Sequence, residues 1–406
     1  MEEYILENNL KLIYKKCESE LSSICISLKA GAGVEKDKLG VAHTTEHMLY
    51  KGTLNRNEVQ INKELSNIFG FQNAMTNYPY VIYYGTLLNE DLENGIEIFS
   101  DIIINPIFPI EGFKEEMDVI RQELNEWDEE LDQYCEDKLF FNCFNDRRIK
   151  YPIIGTKESL NNIAINDIKS FYVENYFPEN TSIVVISSKS FEEVKDMISK
   201  YFGEWQKRKL NREEEILIQY DKLLSKRFDD KREGIKTCKV QMIFQIDELD
   251  YNEVKLLKIF NEYFAEGVNS VLYDTLRTQN GLVYDVLTSI NNENYIKLYK
   301  IIFTTSKENV DKCIELINDC INKLDYYKSN INKNDIDRFI KSLKIKRLFK
   351  EEKSIMLAKE LAIYDIMFGN YNVYINELSN TSAIKKEEVF EVAEKVLKTS
   401  SVQVVY

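Results

Sequence analysis

Two histidines are all that this 406-residue chain contains, and both stand in one five-residue run, His43-Thr44-Thr45-Glu46-His47. On a helix, positions i and i+4 lie on one face about one turn apart, so both imidazoles can converge on a single tetrahedral Zn²⁺ while Glu46 reaches its water. A third ligand has to come from elsewhere. Glu123, at the end of the acidic helical run Glu115-Glu116-Met117-Asp118-Val119-Ile120-Arg121-Gln122-Glu123, is the candidate. Two imidazoles and one carboxylate leave the fourth position to water, which zinc acidifies towards neutral pH into a hydroxide nucleophile. Glu46 is then placed to take the water's proton and return it to a leaving amine. Ordinary surface histidines are the alternative, and they would not be confined to a metal-ligand spacing.

Those residues need elements to hold them. Residues 10–14 and 23–28 read as strands, and Gly31 and Gly33 break the chain before the helix that carries His43. A polar helix over 59–69, a strand over 80–84 and an amphipathic helix over 90–103 follow, and Pro106 and Pro109 punctuate the entry to a long helix. There Met117, Ile120, Leu124, Trp127, Leu131 and Tyr134 recur every three or four residues and mark a buried stripe. Glu116 and Glu123, seven apart, differ by about 20° around the axis and can face one pocket. A turn at 152–156, a helix over 168–176 and a buried strand over 182–186 end the first half.

The stretch 206–233 is rich in Lys, Arg, Glu and Asp and is expected to be a linker. After it the order of elements recurs: a strand over 240–246, a helix to about Arg277, then a strand over 295–303 and a helix over 310–324. The last two match the strand at 80–85 and the helix at 92–104 in the first half. We therefore expect an α+β chain of two homologous halves, each an antiparallel-rich sheet with helices packed on one face. The boundaries are a zinc-binding half over 1–205, the linker over 206–233 and a second half over 234–406.

Bulk properties narrow the class. The composition is 44% hydrophobic and 30% charged, enough to bury a core and unlike a disordered chain. A formal charge of -15 disfavours nucleic-acid binding. No apolar run reaches the length of a membrane span. The acidic start, Met1 to Asn9, lacks the basic and apolar regions of a leader peptide. Seven cysteines (Cys17, Cys25, Cys135, Cys143, Cys238, Cys313, Cys320) without a Cys-x-x-Cys pair fit free thiols in a reducing compartment, so a cytoplasmic location is expected.

The order His-x-x-Glu-His reverses the commoner His-Glu-x-x-His and is the inverzincin spelling. The run from Gly40 to Thr53 (GVAHTTEHMLYKGT) resembles the signature of the insulinase/pitrilysin family of zinc metallopeptidases, in the short form similar to mitochondrial processing peptidase subunits. The resemblance implies Glu123 as zinc ligand and Glu116 as the partner behind a ligand. It also implies that Asn73 and Ala74 lie in an edge strand pairing with substrate backbone, and that Arg277 and Tyr284, in the segment Leu276 to Tyr284, contact the scissile region. The segments 152–156 and 176–180 fit the family's later landmarks. Thr44 and Thr45 depart from it, standing where bulky apolar residues are usual, and so does the run 265–269, where a glycine-richer turn is common.

The resemblance thus implies a zinc endopeptidase, with one Zn²⁺ per chain, that cleaves short or unfolded peptides inside a clam-shell chamber formed by a homodimer or by a heterodimer with a related chain. A dedicated maturation peptidase fits equally. The rival from another class is a non-catalytic peptide-binding subunit that supports an active partner; loss of a ligand or of Glu46 would favour it, and neither is lost. Each supporting residue also has a plainer reading. Glu116 could be a solvated helix carboxylate, Asn73 a turn residue, Arg277 a helix cap and Tyr284 one tyrosine among 25.

Overall fold

Described over residues 1–207, 218 and 220–406, the computed structural model contains two β-sheets, each backed by its own hydrophobic core. Strands β1 (Glu2–Ile5), β2 (Lys11–Lys16), β3 (Leu21–Leu28), β4 (Phe69–Thr76), β5 (Val81–Leu88) and β6 (Thr181–Ser187) form the first, in the order β1-β2-β6-β3-β5-β4. Strands β7 (Arg227–Asp230), β8 (Cys238–Gln245), β9 (Val286–Asn291), β10 (Leu298–Thr305) and β11 (Ser401–Val405) form the second, in the order β7-β11-β8-β10-β9. One pair in each sheet is parallel, β2 with β6 and β7 with β11, and the other neighbours are antiparallel. With β1 set aside, the two orders coincide strand for strand. The duplication is therefore plain in the topology although it is faint in the residues.

Five helices of the first half matter below: α1 (Val41–Leu49), α2 (Glu58–Ile68), α3 (Leu92–Ile104), α4 (Phe113–Glu129) and α5 (Leu131–Cys143). The expected repeat of strand and helix holds, with β5 leading to α3 and β10 to the helix Val310–Asn322. Side chains alternate across β3, where Ile24, Ile26 and Leu28 enter the core with Val81, Tyr83 and Leu87 of β5. Edge strand β4 carries a bulge between Phe69 and Phe71. Gly85 across from it must stay bare, because a Cβ there would meet the Phe69 ring at 2.5 Å.

The opposite face of each sheet is also covered, by one helix that the chain supplies from its other half. Ser23, Cys25 and Ser27 turn their small side chains to the helix Ser354–Phe368, which is apolar nearly all round and so suits burial. Ser23 and Ser354 share a hydrogen bond of 2.8 Å, the Ser27 hydroxyl donates to the Ala362 carbonyl at 3.1 Å, and Lys11 pairs with Asp365 at 2.7 Å. In the second sheet α5 takes this place. The buried polar side chains of that face find partners on it: Gln241 donates to the Asp132 carbonyl at 2.8 Å, Gln403 accepts from Asn142 at 2.9 Å, and Lys239 and Lys300 pair with Asp132 and Glu136.

Neither compact unit is consequently one contiguous stretch. The first combines Met1–Glu126, Tyr151–Ile218 and Lys350–Tyr374, and the second Trp127–Lys150, Gln219–Phe349 and Ile375–Tyr406. Of the linker expected over 206–233, residues 208–217 and 219 lie outside the described residues. Its later part is no free linker, because Arg227–Asp230 is strand β7, hydrogen-bonded to β11. Its charges belong to a sheet edge, where Arg227 pairs with Asp229 and Asp311, and charge is the usual composition of an edge strand. Among the described residues no helix is long and apolar enough to cross a membrane.

Candidate metal centre

Helix α1 starts abruptly. Gly40 adopts φ +88°, and a Cβ on it would meet the Ile154 carbonyl oxygen at 2.4 Å, so the backbone of the 152–156 turn seats the helix start directly. Glycine has no side chain to cap the first amides. Glu35 supplies the acceptor, its Oε1 taking hydrogen bonds from Gly40 N at 3.0 Å and Ala42 N at 2.9 Å. The helix is buried at every residue but His47. Thr44 and Thr45 are tolerated inside because their hydroxyls bond back to the carbonyls of Gly40 and Val41 at 2.8 and 2.7 Å.

The two imidazoles converge. His43 Nε2 lies 3.5 Å from Glu123 Oε1, and His47 Nε2 lies 3.5 Å from Glu123 Oε2. Each ring thus stands from one oxygen of Glu123 at close to the separation of about 3.3 Å between neighbouring donors around a tetrahedral ion with bonds of about 2.0–2.1 Å. Among the described residues this is the one group of His, Cys, Asp and Glu whose ligand atoms gather within 4.8 Å. Burial works against a charged His47, yet hydrogen bonds to Glu116 and Glu123 and the charge of Glu46 outweigh it and push its pKa up to about 10. Burial likewise works against an ionised Glu123, but hydrogen bonds to both histidines hold its carboxyl far below the usual range. A site that attracts a proton so strongly suits a divalent cation.

The surrounding groups orient this set. His47 Nδ1 shares a 2.8 Å hydrogen bond with Glu116 Oε1, which leaves Nε2 free to ligate. Glu116 Oε2 in turn accepts from Lys51 Nζ at 2.8 Å, and Lys51 also pairs with Glu58 at 2.7 Å. Glu46 is buried at 8% exposure, and its Oε2 accepts from Thr76 Oγ1 at 2.6 Å.

Asn73 and Ala74 lie in edge strand β4, with Asn73 Oδ1 accepting from Ala74 N at 3.0 Å. Arg277 and Tyr284 belong to the second compact unit, in and just after a π-helical turn at Asp274–Gln279. There the Arg277 guanidinium donates to the Tyr284 carbonyl and lies 4.6 Å from the centre of its ring, and Tyr284 is 80% exposed.

Residues 12–157 match the profile described as Insulinase (Peptidase family M16), and residues 162–343 the one described as Peptidase M16 inactive domain. The chain belongs to the insulinase family. Within the family it is 24% identical over 394 residues to an uncharacterized zinc protease of Rickettsia bellii, covering 95% of this chain and 92% of that one. Identity is 24% over 287 residues to an uncharacterized zinc protease of Bacillus subtilis, over 70% and 68% of the two chains. It is 30% over 183 residues to the beta subunit of the mitochondrial-processing peptidase of Saccharomyces cerevisiae, over 45% and 40%.

The fold is that of a protease from Helicobacter pylori, with a TM-score of 0.87 at 19% identity over 100% of this chain and 98% of that one. A peptidase M16 inactive domain from Pseudomonas fluorescens gives 0.86 at 13% identity over 100% and 97%. The insulinase-family description of the second part as inactive agrees with its chemistry. In the second sheet the helix Tyr251–Phe264, between β8 and β9, stands where α1 stands in the first, and it carries no histidine.

Three residues of the site went unread in the sequence. Lys51 had a signal, since it follows His47 by one helical turn. Thr76 had none, because strand alternation turns it to the face opposite Asn73. Glu35, in the turn before the helix, had none.

Proposed function

We propose that the chain is a zinc-dependent endopeptidase acting on short or unfolded peptides. One observation carries the reading: two imidazoles converge on Glu123 beside a buried carboxylate, Glu46, that is held through one oxygen only. His43, His47 and Glu123 would hold one Zn²⁺, which supplies the Lewis acidity that makes water acidic near neutral pH. Glu46 takes the water's proton on Oε1, while Thr76 fixes Oε2, and returns that proton to the leaving amine. Edge strand β4, with Asn73 and Ala74, offers backbone groups to an extended peptide, a mode tolerant of side chains. Half-buried Arg277 and exposed Tyr284 form a guanidinium–phenol pair suited to a peptide carbonyl. Assembly as a homodimer, or with a related chain, is part of the proposal, and the relative named as a beta subunit supports it.

The test is digestion of a panel of unstructured peptides by the zinc-loaded chain, with and without chelator, read by mass spectrometry of the cut sites. Chelator-sensitive cleavage across many peptides is expected for a general peptidase, and one precursor alone for a maturation enzyme. A panel left whole would overturn the proposal.

Thr76 gives a finer expectation. Thr76→Val keeps the shape and removes the donor to Glu46, and a hydrogen bond to a charged group contributes about 1.5–3 kcal/mol. A fall in kcat of about 10-fold or more is expected, since 1.4 kcal/mol corresponds to tenfold. KM and zinc content should hold, and Thr76→Ser should restore the rate. Unchanged kcat in Thr76→Val would show that Glu46 is positioned without it.

A further inference from the structure

Lys51 is held tightly for a lysine. Its side chain is 13% exposed, and its ammonium reaches Glu116 Oε2 at 2.8 Å and Glu58 Oε1 at 2.7 Å. Glu116, itself 12% exposed, gives its other oxygen to His47 Nδ1 at 2.8 Å. A continuous line thus runs from a metal-ligating imidazole on α1, through α4, to Lys51 just past the end of α1, and on to the first residue of α2. Glu58 is a firm outer end, because a carboxylate in the first turn of a helix is favoured by the dipole and α2 begins with a capping box between Asn57 and Gln60.

Charge points the same way. Once both imidazoles ligate as neutral rings, Glu46, Glu116 and Glu123 set three negative charges around them, and a divalent cation balances only two. Lys51 meets the third at the carboxylate that does not ligate, sharing its charge with the more exposed Glu58.

We infer that Lys51 is the positioning residue of the zinc site: it fixes Glu116 in the orientation that presents Nε2 of His47 to the ion. Without Lys51, one oxygen of a half-buried carboxylate loses its donor and Glu116 turns towards water, which releases the ring behind it. The inference rests on the zinc reading above and names a residue that the sequence had not singled out.

The test is the rate at which zinc leaves the full-length, zinc-loaded chain in excess chelator, followed by a chromogenic zinc indicator. Lys51→Met should release zinc about 10-fold faster or more, the scale seen for lost partners of metal ligands. Lys51→Arg keeps the charge and both carboxylate contacts and should stay within about twofold of the parent. In a Glu116→Gln background the change Lys51→Met should shift release by less than about twofold, because its route to His47 is already cut.

Removal of a positive charge by itself favours a cation. Release from Lys51→Met at the parental rate or slower would therefore overturn the inference while leaving the zinc site intact. A parent chain that binds no zinc would overturn the site reading and the inference together. Should the methionine variant not fold, Lys51→Gln takes its place, with release faster than the parent expected and parental release overturning the inference.

Discussion

Glu46→Gln should leave zinc and peptide bound and cut turnover by about 10²–10⁴-fold, the usual span for a lost general base. The substitution is conservative in this setting. Glu46 is buried, and the amide oxygen of glutamine can still accept the Thr76 hydroxyl, so the side chain keeps its place and loses only its ability to take a proton. None of His43, His47 and Glu123 is altered. Elemental analysis should return the parental zinc content, and peptide binding by fluorescence anisotropy should be unchanged while single-turnover cleavage collapses. Cleavage at the parental rate would remove Glu46 from the chemistry. Loss of zinc would recast it as a support for the ligand helix.

His47→Ala has the opposite signature. It deletes a ligand and also strips Glu116 of its imidazole partner, so zinc affinity should fall by more than the roughly 10–100-fold that loss of an outer partner costs. Purified variant should carry little zinc. A second readout is thermal: ligands drawn from α1 and α4 bind the ion only in the folded chain, so added zinc should raise the parent's Tm, by linkage, and leave that of His47→Ala unmoved. An undiminished zinc content would place the metal elsewhere.

The sequence was most legible where chemistry is local. His43, Glu46 and His47 share one helix, and their spacing alone states which side chains can meet. Seven residues return a helix to nearly the same face, which put Glu123 and Glu116 on one side, and the family resemblance implied their roles. The recurrence of strand and helix survived in hydrophobic pattern, and the sheets repeat it strand for strand. What stayed hidden was pairing through space. Thr76 meets Glu46 only because the end of β4 lies against α1, and nothing in a threonine at a strand end announces an acceptor on another element. Leu131 and Tyr134 read as a continuation of the helix of Met117 but belong to a separate one, α5, on the second sheet, and nothing in residues 354–368 says which sheet buries that helix. The charged run before β8 misled for a related reason: an edge strand and a linker share a polar composition, and only the partner strand β11 tells them apart.

The exchanged helices impose an order in time. His43, His47 and Glu123 are all made well before Ser354–Phe368, the helix that closes the far side of the sheet backing their own helices, and Ser27 and Ala362, in contact in the finished fold, stand 335 residues apart. Contacts of such span form late. Until they form, Ile82 of β5 and Val184 and Ile186 of β6, which share a face with Ser27, meet water, and a strip of that kind attracts chaperones and other unfinished chains. The half that holds the ligands is therefore complete only once residues 354–368 of its counterpart have been made, and a chain cut short before them would carry every ligand while lacking one cover of the sheet behind them.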